Sequence, residues 1–299
     1  MHLLAVQPGA IDDGPRAVDL DQSPADIVFL SAADTEIAAL SLAHQQLGDD
    51  APGLRAANLL QLGHAMSVDL YVERTLSHAR IVIARLLGGQ GYWPYGVEEL
   101  ARLAREKGLL LALLPGDHRP DEALMHASTL GEAEYRTLWR YFTEGGVENM
   151  VRALAFARHL TGRGPAPEQA QTIPPAGLYW PGLDRPSLED VMARWTPGQP
   201  AAAITFYRAL VLSGQTGVID ALIEALGSAN LNAIPVFAQS FKDETAAAMA
   251  AVPTSTDSIG VYAETFNDVS PADGKATAFS KEDVSPGVSA LVSGEASAR

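Results

Sequence analysis

The sequence predicts an α/β protein: two βαβ-type lobes with parallel sheets, joined by a helical layer and followed by a poorly structured C-terminal tail. Three observations predict it. Over the first 130 residues, short apolar runs alternate with stretches whose apolar residues recur at helical spacing, the sequence form of a parallel sheet wrapped by crossover helices. The same alternation returns from residue 201. Between the two, Pro165, Pro167, Pro174, Pro175, Pro181, Pro186 and Pro197 crowd into one stretch that reads as an extended connector. The expected divisions are a first Rossmann- or flavodoxin-like lobe over 1–130, a helical layer over 131–160, the connector over 161–200, the start of a second lobe over 201–252, and a tail over 253–299.

In order along the chain, strands are expected at 3–6, 27–30, 59–62, 81–87 and 109–114. The first helix is expected at 34–47, where Ile37, Leu40, Leu42, Ala43 and Leu47 repeat at helical spacing behind Ser31 and Asp34 as caps, with Gly48 as the stop. Helices at 67–78 and 96–107 follow, the second ending at Gly108. Residues 132–160 read as helical apart from a break at Gly145-Gly146. In the second lobe a strand at 201–206, a turn at Ser213-Gly214-Gln215-Thr216, a helix at 218–227 and a strand at 233–238 complete one unit. Beyond residue 252, Ser, Thr, Asp, Glu, Ala and Gly dominate, a composition too poor in bulky apolar side chains to form a core.

The chain has 299 residues, with 21 Lys+Arg against 36 Asp+Glu for a net charge of −15. That excess disfavours nucleic acid and anionic membrane surfaces as partners, since both reward cations. No cysteine occurs, which excludes disulfides, thiolate metal sites and a cysteine nucleophile. The N-terminus lacks the basic flank and the apolar length of a signal peptide, and no window reaches the ~18 to 20 apolar residues of a membrane span, so a cytoplasmic protein is expected.

Nucleotide motifs are incomplete. Gly89-Gln90-Gly91 would need a third glycine where Pro94 stands, a position at which no helix start is expected, and Gly274-Lys275 has Val269 in place of the upstream glycine of a phosphate-binding loop. The seven histidines show no spacing that would set two metal ligands on one helix face, so no metal site and no bound cofactor is assigned. Two loops remain as candidates. Gly88-Gly89-Gln90-Gly91-Tyr92-Trp93-Pro94-Tyr95-Gly96 places three aromatics on a glycine-rich loop at a strand's C-terminal end. Gln90, Tyr92, Trp93 and Tyr95 could contact a planar ligand or a subunit, or the rings could close a core. Asp117 and His118 sit in a second such loop, where His118 could cluster with Asp117, Asp121 and Glu122, or the acids could cap the next helix.

These loops also carry a resemblance. Leu86-Leu87-Gly88-Gly89-Gln90-Gly91-Tyr92-Trp93-Pro94-Tyr95-Gly96-Val97-Glu98, then Leu114-Pro115-Gly116-Asp117, then Phe142-Thr143-Glu144-Gly145-Gly146-Val147-Glu148-Asn149, Phe206-Tyr207-Arg208, Asp220-Ala221-Leu222-Ile223-Glu224-Ala225-Leu226 and Lys242-Asp243 occur in the order found in the CobN/magnesium-chelatase H-subunit family. Gly177-Leu178-Tyr179-Trp180-Pro181 is similar to that family's Gly-x-Tyr-His-Pro, with Trp180 in the histidine's place. The resemblance covers about residues 1–250 and adds Tyr207 and Arg208 as candidate contacts. The family's large subunit is several times longer than this chain. The resemblance therefore implies a fragment or shortened form of a subunit that holds a corrin and Co²⁺, inserting cobalt into hydrogenobyrinic acid a,c-diamide in cobalamin biosynthesis. AAA+ ATPase subunits would supply ATP hydrolysis, and this chain alone would be inactive. The alternative is a non-catalytic α/β module for ligand binding or subunit assembly.

Overall fold

The computed structural model describes residues 16–240. The strand expected at 3–6, the tail expected from 253, and the Gly274-Lys275 and Lys242-Asp243 motifs lie outside the described residues. The chain divides into two compact units between Ile173 and Pro174.

The first unit is a four-stranded parallel sheet. Strands β1 (Ile27–Ser31), β2 (Leu54–Asn58), β3 (Ile81–Leu86) and β4 (Leu110–Pro115) lie in the order β2-β1-β3-β4. β1 and β3 are buried along their whole length, which is why they read as unbroken apolar runs. Helices α1 (Asp34–Leu47), α2 (Ala65–Arg74) and α3 (Pro94–Lys107) supply the crossovers. After β4 come α4 (Glu122–Ala127), α5 (Glu132–Glu144) and α6 (Val147–Leu160). One face of the sheet packs Val28, Leu30, Val82, Ala84 and Leu86 against α2 and α3. The other packs Ile27, Phe29, Ile81, Ile83 and Leu114 against α1, α5 and α6, so the helical stretch after residue 131 belongs to this unit. The α5–α6 break falls where Gly145 and Gly146 take φ of 69° and 85°, a region closed to most side chains.

Four expectations for the first unit are corrected. Residues Leu59–Leu62 form a 3₁₀ turn instead of a strand; the strand is the preceding stretch, whose Arg55 and Asn58 disguised it at the sheet edge. The helix expected at 67–78 starts two residues earlier and closes with a separate 3₁₀ turn at Leu76–His78. Helix α3 begins at Pro94 itself, since a proline at the first helical position loses no hydrogen bond there. The α1 cap is Ala33, with no side-chain cap; Ser31 instead accepts from the Ala33 amide at 3.1 Å.

The second unit holds β5 (Ala176–Leu178), α7 (Leu188–Met192), β6 (Ala201–Tyr207), α8 (Arg208–Ser213), α9 (Gly217–Ser228) and β7 (Asn232–Ala238). Its sheet runs β5-β7-β6. β6 and β7 are parallel, but β5 pairs antiparallel with β7, so this sheet is mixed where a parallel one was expected. No described helix is long and apolar enough to cross a membrane.

Candidate functional site

In the strand order β2-β1-β3-β4 the chain leaves β1 toward β2 over one face and returns past β1 to β3 over the other. The C-terminal ends of β1 and β3 thus flank a switch point, the usual ligand crevice of open α/β sheets. The glycine-rich loop follows β3 and the Asp117-His118 loop follows β4, so the first unit brings both candidate loops to this edge.

Of the two readings open to it, contact or core, Trp93 takes the core position. Its side chain is 6% exposed and its indole Nε1–H donates to the Leu62 carbonyl at 2.8 Å. A methyl group at Gly96 would lie 2.0 Å from the indole ring, so a glycine one turn into α3 is what lets the ring fold back onto the helix. The flanking rings stay outside: Tyr92 is 42% and Tyr95 38% exposed. The Tyr95 hydroxyl donates to Asp69 Oδ1 at 2.6 Å, and that bond pushes its pKa up to about 12. Gln90 is exposed and donates from Nε2 to the Ala123 carbonyl at 3.0 Å. With Gly91, Pro94, Val97, Arg105 and Ala127 it lines an open groove of about 350 Å³.

The cluster around His118 does not form. His118 is exposed, Asp117 Oδ1 accepts from the Arg119 amide at 3.0 Å, and Asp121 caps α4 by accepting from the Leu124 amide at 3.0 Å. Among the described residues no three His, Asp or Glu side chains converge as metal ligands. The acids serve as turn and cap acceptors because each faces a free amide two or three residues ahead.

What sequence reading missed at this edge is a buried network. Arg85, one residue before the end of β3, has its side chain 3% exposed and donates from Nε and Nη2 to Glu36 Oε1 at 3.1 and 2.9 Å. It also donates to the Pro115 carbonyl and, at 3.2 Å, to that of Gly116. The Ser31 hydroxyl donates to Glu36 Oε2 at 2.7 Å. A lone charge inside an apolar strand was the available clue.

In the second unit Tyr207 is 43% exposed at the C-terminal end of β6, and Arg208 Nε donates to the Pro174 carbonyl at 3.0 Å. Tyr179, just past β5, sets its ring edge-on to Phe206 with centroids 5.9 Å apart. Its hydroxyl donates to Asp220 Oδ1 at 2.7 Å and lies 2.8 Å from the Thr216 hydroxyl. Three motifs distant in sequence, those of Tyr179, Phe206 and Asp220, therefore meet. Burial first, then the Asp220 carboxylate, pushes the Tyr179 pKa up to about 12. Because the folded value exceeds the unfolded value of about 10, this contribution to stability is full below pH ~10 and is lost as pH rises through about 12. The phenolate absorbance that rises late, through that window, should be smaller by one tyrosine in Tyr179→Phe than in the parent. That variant should also lose about 1 kcal/mol by chemical denaturation, because Asp220 loses its donor.

The sequence profile of the CobN/Magnesium Chelatase family matches residues 139–278. The chain is 43% identical over 251 residues to the aerobic cobaltochelatase subunit CobN of a Sinorhizobium species and 40% identical over 244 residues to that of Pseudomonas aeruginosa, covering 81% of this chain in each case. It spans about a fifth of the length of these relatives, 20% of each. Among solved structures it resembles the catalytic subunit of cobaltochelatase from Mycobacterium tuberculosis, with a TM-score of 0.56 and 26% identity over 72% of this chain and 16% of that one. With a family profile matching residues 139–278 and two relatives 43% and 40% identical over 81% of it, this chain belongs to the CobN/magnesium chelatase family.

Proposed function

We propose that this chain is part of the large subunit of an ATP-dependent aerobic cobaltochelatase, working in the cytoplasm, and that it supplies contact surface for the corrin substrate. One observation carries the reading: segments that resemble the family follow β3 and β4 in the first unit and β6 in the second, and at those strand ends Tyr92 and Tyr95, and within the second unit Tyr207, are exposed. Exposed aromatic faces beside amide and hydroxyl groups suit a flat macrocycle with a polar rim. The described acids and histidines do not converge as metal ligands, so the role assigned here is recognition, with Co²⁺ as the substrate handled by other parts of the subunit. AAA+ ATPase partners supply the hydrolysis.

The test is direct. Mixed with hydrogenobyrinic acid a,c-diamide, Co²⁺, ATP and the ATPase subunits, the chain alone should insert no cobalt, read as the change in corrin absorbance. It should nevertheless bind the corrin in a spectral titration. ATP-dependent insertion by this chain with its motor alone would overturn the division of roles, and failure to bind the corrin would leave the assembly-module reading in its place.

A further inference from the structure

We propose that Arg85 and Glu36 are positioning residues for the C-terminal edge of the first sheet: their buried pair ties the loops after β1, β3 and β4 into one fixed surface. The link to corrin binding rests on the function proposed above; the tie between the loops does not. On β3 the residues Ile81, Ile83 and Arg85 share the face packed against α1, α5 and α6. A leucine would satisfy that face. A buried ion pair is commonly no more stabilising than apolar residues of like volume, so its presence here needs a reason other than core stability.

The geometry gives the reason. From Arg85 one arm of hydrogen bonds runs to Glu36, then to Ser31 at 2.7 Å, then from Ser31 Oγ to the Ala33 amide at 3.1 Å, reaching the loop after β1. The other arm holds the carbonyls of Pro115 and Gly116, the start of the loop that carries Asp117 and His118. Gly116 is in turn pressed on the loop after β3: its amide donates to the Leu86 carbonyl at 2.9 Å, and a methyl group there would lie 2.7 Å from the Leu87 nitrogen. The guanidinium plane is supported from below by Phe142, 5.6 Å to the ring centroid, and Phe142 stacks on Phe29 at 5.2 Å. Only a planar fork with several fixed donors can hold a carboxylate and two carbonyls at once.

The test uses the full chain with Arg85→Met/Glu36→Leu, which removes the pair but keeps the bulk, and Arg85→Lys, which keeps the charge but cannot span the three acceptors. Amide hydrogen exchange, thermal melting and titration with hydrogenobyrinic acid a,c-diamide are measured on each. The expected result is exchange at Ala33 and Gly116 accelerated roughly tenfold, about one hydrogen bond's worth, with the amides inside β1 and β3 unchanged. Corrin binding should weaken by a similar factor, with little change in melting for the double variant. Unchanged exchange at Ala33 and Gly116 in the folded variants overturns the proposal. If the double variant does not fold, Arg85→Lys decides by the same comparison. Loosened loops with corrin bound as tightly as by the parent overturn the positioning role. A parent chain that does not bind the corrin at all overturns the proposed function and leaves the exchange result standing.

Discussion

Trp93→Ala is expected to destabilise the first unit by about 3 to 5 kcal/mol, the range for truncating a large buried aromatic. The ring fills the space between the 3₁₀ turn Leu59–Leu62 and the start of α3, and its Nε1–H satisfies the Leu62 carbonyl at 2.8 Å. Alanine leaves both a cavity and an unpaired buried acceptor. Trp93→Phe separates the two, keeping most of the bulk while costing roughly the 1 to 3 kcal/mol of the lost donor. Gly96 cannot relax into the vacated space, because it has no side chain to move. Denaturant titration measures the stability change, and corrin titration of the folded fraction should show the affinity of the parent. A variant that melts like the parent but has lost corrin binding would show that the ring serves as a contact and not as core.

Glu36→Ala is expected to have an effect of similar size for an electrostatic reason. The Arg85 side chain is 3% exposed against a Glu36 side chain that is 18% exposed, so removing the carboxylate leaves a largely buried cation without its counter-charge. Breaking such a pair from one side costs about 3 to 5 kcal/mol. Ser31→Ala, which removes the hydroxyl that donates to Glu36 and accepts from the Ala33 amide, should cost about 1 to 2 kcal/mol, because the Arg85 charge stays compensated. The two are compared by their denaturation midpoints at equal slope. Equal midpoints for Glu36→Ala and Ser31→Ala would mean that Arg85 finds another partner, and the buried pair would lose its importance. Trp93 packs on one face of the sheet and Arg85 on the other, so Trp93→Ala and Glu36→Ala together should add to within about 0.5 kcal/mol.

The parts of the fold legible in the sequence are those where local pattern and tertiary environment agree. Central strands β1 and β3 read as apolar runs because both faces are covered, and the α5–α6 break was visible in a glycine pair that only a turn would use. Edges were misread. β2 carries Arg55 and Asn58 because one side of it meets solvent, and Leu59–Leu62, the more apolar stretch beside it, drew the strand assignment instead. The candidate loops could be placed in advance because strand C-termini in parallel sheets are where such loops collect.

Which side chains of those loops face outward could not be read in advance. Trp93, Tyr92 and Tyr95 are equivalent in composition, and only the approach of α3 to the turn after β2 buries the first and leaves the other two exposed. The partner of Arg85 was equally hidden, since Glu36 lies 49 residues earlier and meets it only because β1 and β3 are neighbours in the sheet. By itself the sequence determined the alternation of strands and helices, the acidic charge and the loops at the sheet edge, because those follow from local periodicity and composition. Only the tertiary structure decided which aromatic is core, which acids cap helices and which arginine is buried against a glutamate, because those depend on contacts between residues that the chain keeps far apart.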